Sequence, residues 1–212
     1  MALIPLGFDL TASPVALKTT QFPGPTIIYS RDISEARGLS TAALSFFCHQ
    51  GHRTVVFTAP HTVARYLDMG LDGIIRHGWE LPLALEALST RLDQHKTDPT
   101  ESAALIVVDD WAAVTAQAEN PEAFARELTD ISRGHPDFHV IITAEDSSQL
   151  PPSVREASTS TVFLGMQAKQ TQLDYRTELD AVRTMERHEN NFAHFHTGGR
   201  HIVKPLRTEH WD

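Results

Sequence analysis

Two adjacent carboxylates at the end of an apolar run are the residues best suited to do chemistry. The run at 103–108, Ala-Ala-Leu-Ile-Val-Val, is followed directly by Asp109 and Asp110. Continuous apolar sequence is typical of a buried parallel strand, and open α/β sheets place functional residues at the carboxyl ends of such strands. In nucleotide hydrolases the first of two such acids holds the Mg²⁺ shell and the second polarises the attacking water. Because a strand can also end at an acidic turn without function, this interpretation requires a phosphate-binding loop upstream.

The segment 31–41 lies where that loop is expected, between a predicted strand and a predicted helix at 39–48. The working pattern GxxxxGK[ST] supplies two glycines, a lysine and a hydroxyl. Here Gly38, Ser40 and Thr41 resemble the pattern, and no lysine occurs in the segment. The position of the loop is therefore as expected, but its chemistry is not.

Charged residues in this segment act in opposite directions. Asp32 and Glu35 place negative charge where backbone N–H groups and the helix N-terminus would otherwise attract an anion. Arg31 and Arg37 could replace the missing lysine, because arginine can hold phosphate with two parallel hydrogen bonds. This replacement would restore charge but not the glycine-dependent curl of the backbone around phosphate. The sequence thus predicts a nucleotide site that has decayed.

Further segments extend the pattern, in a fixed order, over almost the whole chain. They are a lead-in at 4–17 (Ile-Pro-Leu-Gly-Phe-Asp, then Pro-Val-Ala-Leu), a helix at 81–95, strands at 139–146 and 160–164, and a glycine pair at 198–199. Together with the acidic pair, these segments resemble the FtsK/SpoIIIE-type P-loop ATPases. Each motif is weak by itself, and their ordered spacing makes the resemblance fairly specific.

Within that family, the paired aspartates at the Walker B position and the eroded loop are most similar to the C-terminal ATPase modules of EccC/EssC, the type VII secretion motor. The resemblance implies an α/β domain with a RecA-like P-loop NTPase fold, in which a mainly parallel central sheet has helices on both faces and residues 1–212 form one domain. It assigns the site roles residue by residue: Mg²⁺ coordination to Asp109, water polarisation to Asp110, a sensor role to Thr143, and degenerate phosphate contacts to Arg31, Arg37, Gly38, Ser40 and Thr41. The Walker lysine transfers to no residue.

The function implied by these motifs is that of a catalytically impaired module, a pseudo-ATPase with no required cofactor. The resemblance places it on the cytoplasmic side of a membrane-anchored secretion complex, as a cut or split piece of a longer motor. Its expected partners are the other ATPase modules of the motor and a secreted protein. The competing hypothesis is weak hydrolysis of ATP with Mg²⁺, in which Arg31 or Arg37 stands in for the lysine. A plain interaction domain without nucleotide affinity is the third.

Composition agrees with one soluble globular domain. The 212 residues are 41% hydrophobic and 21% charged, which is ordinary for a domain of this size. The 18 basic residues are outnumbered by 27 acidic ones, giving a formal net charge of -9. Since a DNA-pumping track needs lysine and arginine to neutralise phosphates, this balance disfavours nucleic acid as a partner. No apolar run reaches membrane-spanning length, so contact with a membrane is expected only through other parts of the motor.

Predicted elements alternate between strands and helices. Strands are predicted at 25–30, 53–58 and 71–75, and a further helix begins at Pro121 and continues to Ile131. Strands separated by helices of this length favour a mainly parallel sheet covered on both faces.

Histidines near the C-terminus offer a different chemistry. His194 and His196 are two residues apart, as on one face of a strand, and such a pair can bind zinc. The single cysteine of the chain, Cys48, lies far from them and completes no recognised spacing. Solvated polar residues are therefore the preferred interpretation of this pair.

Overall fold

The computed structural model describes most of the chain. The described residues are 3–8, 14–18, 24–76, 83–84, 86–88, 90, 103–116, 118–134, 137–165, 167–176, 179 and 193–197. The predicted glycine-rich turn at 198–199 lies outside them.

A seven-stranded sheet organises the molecule. The described part of the chain has nine strands, of which seven form this sheet: β1 (Leu3–Phe8), β2 (Pro14–Lys18), β3 (Thr26–Tyr29), β4 (Arg53–Thr58), β5 (Gly73–Ile75), β6 (Ala104–Asp109), β7 (Phe138–Ala144), β8 (Ser160–Leu164) and β9 (Ala193–Thr197). The sheet has the order β5-β4-β6-β7-β3-β8-β9, in which the first six strands run parallel and β9 is antiparallel to β8. Strands β1 and β2 form a separate antiparallel pair. The predicted α/β class with a mainly parallel sheet is confirmed.

Helices cover both faces of this sheet. They are α1 (Ile33–His49), α2 (Trp111–Thr115), α3 (Pro121–Gly134), α4 (Pro152–Ala157) and α5 (Lys169–Asp174), with 3₁₀ turns at Pro60–Arg65 and Ser147–Gln149. Helical conformation also occurs at 83–84, 86–88 and 90, inside the predicted helix at 81–95.

Side chains of the central strands alternate between two hydrophobic cores. Ile106 and Val108 of β6 pack in the core beneath α3, whereas Leu105 and Val107 pack in the core beneath α1. Every residue of β6 and β7 is buried. Continuous apolar sequence is typical of a parallel strand covered on both faces, which explains why β6 was predictable.

One boundary prediction is wrong, and it concerns the site. Helix α1 begins at Ile33 rather than at Leu39, so most of the segment predicted as a phosphate loop is helical. The physical reason is the N-cap: the Asp32 carboxylate accepts hydrogen bonds from the Ser34 backbone N–H at 2.9 Å and from the Ser34 hydroxyl at 2.6 Å. Such a cap starts a helix immediately after it. Gly38 then falls inside the helix, where a glycine is tolerated at a cost of about 1 kcal/mol.

Candidate functional site

Asp109 is the centre of the site, at the carboxyl end of β6. Its carboxylate is fully buried and accepts a hydrogen bond from Arg37 Nε, which lies 2.8 Å from Oδ1 and 2.9 Å from Oδ2. Oδ2 also accepts from the Thr58 hydroxyl at 3.1 Å and from the Tyr66 hydroxyl at 2.8 Å. Both carboxylate oxygens are therefore occupied by donors of the chain itself.

Strand register explains how these donors reach Asp109. Thr58 is the last residue of β4 and pairs directly with Asp109 across the parallel ladder. The chain then turns through the 3₁₀ segment Pro60–Arg65, which places the buried Tyr66 over the same strand ends. Arg37 projects from the second turn of α1 and is 13% exposed.

Electrostatics keep Arg37 and Tyr66 protonated. Burial alone would lower the pKa of the Arg37 guanidinium, but the hydrogen bond and the charge of Asp109 outweigh burial and raise that pKa above its ordinary value. Burial and the adjacent Asp109 charge also raise the pKa of Tyr66 well above its usual range. Arg37 stays cationic and Tyr66 keeps its proton, so both remain donors to Asp109.

Asp110 is used differently from its neighbour. Its backbone is left-handed, with φ of 65°, the one positive φ of a non-glycine residue in the described part of the chain. Its Oδ1 accepts from the Ala113 N–H at 3.2 Å and so caps α2, and its Oδ2 lies 4.0 Å from Arg37 Nη2. Aspartate is one of the few residues that tolerates this backbone region. The second acid thus serves as a helix cap in this structure.

Thr143 holds the strained backbone of Asp110 in place. Its hydroxyl accepts a hydrogen bond from the Asp110 N–H at 2.7 Å and lies 3.4 Å from the Val108 carbonyl oxygen. The fold therefore brings Asp109, Asp110 and Thr143 together, as expected for residues at neighbouring strand ends. The sensor role of Thr143 stays a prediction.

The connection between β3 and α1 stands where a phosphate loop would lie. It comprises only Ser30, Arg31 and Asp32. Four backbone N–H groups of this connection and the first turn of α1 already donate within the chain: those of Ser30 to the Ala144 carbonyl, of Asp32 to the Ser30 hydroxyl, and of Ser34 and Glu35 to the Asp32 side chain and carbonyl. A phosphate cradle needs such groups directed at the anion.

Carboxylates add to the misfit at this edge. The Ser30 hydroxyl donates to Glu35 Oε2 at 2.8 Å, and hydrogen bonds from Ser34 lower the pKa of Asp32. Gly165, with φ of +55°, lets the backbone after β8 pass beside Glu35: a Cβ there would lie 2.6 Å from Oε2. The negative charges of Asp32 and Glu35 oppose a phosphate at this helix N-terminus.

The other residues assigned to phosphate binding lie along or just before α1. Arg31 is exposed in the turn, and Gly38 is exposed on the helix, where an added Cβ would meet no atom within 4 Å. The buried Ser40 hydroxyl donates to the Arg37 carbonyl oxygen of the preceding turn at 3.1 Å, and Thr41 is half-buried. Their role in phosphate binding stays a prediction, while Arg37 contacts the acidic pair.

Sequence reasoning missed two participants, Thr58 and Tyr66. Thr58 carried a usable signal, because it ends a predicted strand and would meet Asp109 if the two strands were neighbours. Tyr66 carried none, since it lies in an irregular turn whose path depends on tertiary packing.

These contacts decide whether Mg²⁺ and a triphosphate fit the site. Mg²⁺ requires oxygen ligands in near-octahedral geometry. The Asp109 carboxylate would supply one of them, but here both of its oxygens accept a hydrogen bond from the Arg37 guanidinium. The phosphates would need a cradle and a lysine, and the connection offers a short, internally bonded, acidic turn. The residues present do not fit a Mg²⁺-bound nucleotide.

Metal-binding clusters and membrane-spanning helices are both absent from the described residues. Within that part of the chain, no group of three or more His, Cys, Asp and Glu side chains could hold a metal ion. Nor does any helix there combine the length and apolar character needed to cross a bilayer. The backbone of His194 and His196 lies in β9, paired with Phe163 and Thr161 of β8.

Solved structures similar to this chain include secretion and conjugation proteins. EssC ATPases 2 and 3 from Geobacillus thermodenitrificans are 16% identical with a TM-score of 0.69, covering 97% of this chain and 40% of that one. The cytoplasmic domain of the Type VII secretion ATPase EccC from Thermomonospora curvata is 12% identical with a TM-score of 0.65, covering 97% of this chain and 28% of that one. The pCW3 conjugation coupling protein TcpA, in a monomer form with ATPγS, is 11% identical with a TM-score of 0.72, covering 99% of this chain and 66% of that one.

These similarities show the fold. The chain has the fold of FtsK/SpoIIIE-type ATPase modules and resembles those of EccC and EssC, as predicted from its motif order. It spans less than half the length of the EssC and EccC chains. Neither a protein-family model nor a curated protein sequence matches it.

Proposed function

We propose that this chain is a pseudo-ATPase module of a type VII-like secretion motor. It acts by contact, as a regulatory or scaffolding domain, and not by hydrolysing nucleotide. Its partners are other ATPase modules of the motor and a secreted protein, on the cytoplasmic side of the membrane. The fold shared with EssC and EccC supports the type of assembly.

The single observation that carries the proposal is the Arg37–Asp109 contact. Phosphoryl transfer depends on positioning and on a metal ion that neutralises developing charge. Here the acid that would anchor the metal is buried, hydrogen-bonded to three side chains and neutralised by Arg37. A ligand would have to break this cluster before it could bind.

The β3–α1 connection supports the same conclusion from the phosphate side. Three residues join the strand to the helix, and the Asp32 cap and Glu35 carry charge of the wrong sign. Weak hydrolysis with Arg37 in place of the lysine would require Arg37 to leave Asp109 and to point into a turn that repels phosphate.

Calorimetric titration with Mg²⁺ and ATP tests the nucleotide half of the proposal. The wild type is expected to bind no tighter than about 1 mM and to release no phosphate above the level of the Asp109→Asn variant. Micromolar binding that requires Mg²⁺, together with phosphate release above that background, would establish the weakly active ATPase instead.

Co-elution tests the contact half. The purified chain is mixed with recombinant ATPase modules of the type VII motor from the same genome and passed over a size-exclusion column. A shared peak that persists without ATP is expected. Separate elution at concentrations well above those in the cell would contradict the scaffolding role.

A further inference from the structure

We infer that Arg37 is the resident cation of this site: its guanidinium has replaced a metal ion and permanently joins the strand ends that a ligand would otherwise order. The inference rests on the proposed function and deepens it, because it names the group that stands in place of the metal ion. It concerns the nucleotide-free protein, so it can be tested separately.

The geometry supports a permanent link between α1 and the strand ends. Arg37 and Asp109 are 72 positions apart in sequence, and one N–H of Arg37 is shared between both carboxylate oxygens at 2.8 and 2.9 Å. Thr58 and Tyr66 bring the end of β4 and the following 3₁₀ turn onto the same carboxylate. One buried group thus connects α1, β4, β6 and the segment after β4.

The buried Asp109 carboxylate explains why this link needs a cation. Asp109 is 0% exposed, and an isolated buried carboxylate is strongly destabilising. The hydroxyls of Thr58 and Tyr66 donate hydrogen bonds but carry no net charge. Arg37 supplies the compensating positive charge from within the chain, so that the edge is ordered without Mg²⁺.

Burial distinguishes this pair from an ordinary ion pair. Arg37 and Asp109 are 13% and 0% exposed, whereas Arg53 and Asp72, which form a 2.7 Å ion pair, are 55% and 32% exposed. Removing one partner of a buried pair leaves an uncompensated charge, while exposed pairs contribute little. The two arginines therefore form a matched comparison.

Thermal unfolding of Arg37→Ala and Arg53→Ala, without nucleotide, is the test. The melting temperature of Arg37→Ala is expected to fall by about 8 to 15 °C, and that of Arg53→Ala by at most about 3 °C. Equal losses in the two variants would overturn the inference.

Two further variants keep the test decisive where Arg37→Ala folds poorly. Arg37→Lys retains the charge with a different geometry and is expected to melt between the wild type and Arg37→Ala. Arg37→Met combined with Asp109→Asn removes both charges and is expected to melt above Arg37→Ala, because no buried charge is left unpaired. A double variant no more stable than Arg37→Ala would mean that lost packing, not charge, causes the effect, and would overturn the inference.

Addition of Mg²⁺ alone tests whether a metal ion can displace Arg37 from Asp109. Adding it should leave the melting temperature of the wild type unchanged, and a Mg²⁺-dependent rise would show that Arg37 yields its place to metal and overturn the inference. The two proposals have separate tests. Micromolar binding of ATP with Mg²⁺ would contradict the proposed function, whereas the comparison of the melting temperatures of Arg37→Ala and Arg53→Ala tests the role of Arg37 as resident cation without nucleotide.

Discussion

The two halves of the strand-end site differ in what they retain. At the end of β6, Asp109, Asp110 and Thr143 lie together, with Asp109 buried and hydrogen-bonded. At the end of β3, the connection to α1 is short, acidic and internally bonded. An acidic pair by itself therefore indicates ancestry of fold, whereas a nucleotide site also requires a loop whose backbone donors are free for phosphate.

The two halves also differ in the charge of the side chains that lie at the strand ends. At the end of β6, the Arg37 guanidinium of α1 hydrogen-bonds to Asp109, and at the end of β3, the Ser30 hydroxyl donates to the exposed Glu35 carboxylate. The side chain at each half thus carries the same sign of charge as the group that a nucleotide site would hold there, positive as a metal ion and negative as a phosphate.

The largest effect is expected from Asp109→Asn, which removes the charge from the acidic half. It leaves Arg37 without its carboxylate and should cost about 3 to 5 kcal/mol in the free energy of unfolding. Urea denaturation measures this loss. Asp130→Asn, on the exposed face of α3, is the control and should stay within about 0.5 kcal/mol. Similar values for both variants would contradict a structural role for Asp109.

A smaller loss is expected from Asp110→Ala. The substitution removes the cap of α2 and places alanine in the left-handed region, which together should cost about 2 to 3 kcal/mol in urea denaturation. Asp110→Asn keeps the cap and tolerates the backbone, so it should stay close to the wild type. If Asp110→Asn lost as much as Asp110→Ala, the charge of Asp110 rather than its cap would be the stabilising feature.

Tyr66→Phe removes one neutral donor from Asp109 and isolates its contribution to that carboxylate. Hydrogen bonds to charged groups contribute about 1.5 to 3 kcal/mol, and the loss should fall at the lower end because Thr58 and Arg37 remain. The matched control is Tyr175→Phe, whose hydroxyl lies 3.3 Å from the neutral Tyr29 hydroxyl and should cost about 1 kcal/mol. Equal losses in chemical denaturation would show that the Asp109 charge adds nothing to the Tyr66 bond.

The smallest effect has the opposite sign and addresses the loop half. Gly38→Ala should stabilise the protein by about 0.5 to 1 kcal/mol, because the residue is exposed inside α1 and a Cβ there meets no atom within 4 Å. A glycine that must approach phosphate would not tolerate the change. Destabilisation of the folded protein by Gly38→Ala, measured by the same denaturation, would indicate that the helix does not run through this position.

Sequence was sufficient for the central strands β4 and β6 and insufficient for the loop. The apolar run of β6 is continuous because both faces of the sheet are covered, so this strand and the position of Asp109 at its end were predictable. The start of helix α1 was misjudged because the phosphate-loop motif was matched to residues 31–41, although Asp32 and Glu35 have the spacing of a helix N-terminus.

Which group each side chain of the site contacts was the other feature that sequence could not predict. Arg37 stood out as a cation near the expected phosphates, but whether it meets a phosphate or Asp109 depends on where α1 begins and how it packs on β6. Tyr66 depends in the same way on the path of an irregular turn.

A crystal structure determined with Mg²⁺ and ATPγS in excess tests the central claim most directly. We expect Arg37 Nε to lie within hydrogen-bond distance of both Asp109 oxygens, with no triphosphate at the β3–α1 connection. An ordered triphosphate enclosed by residues 30–41, with a metal ion on Asp109 and Arg37 displaced, would contradict the claim.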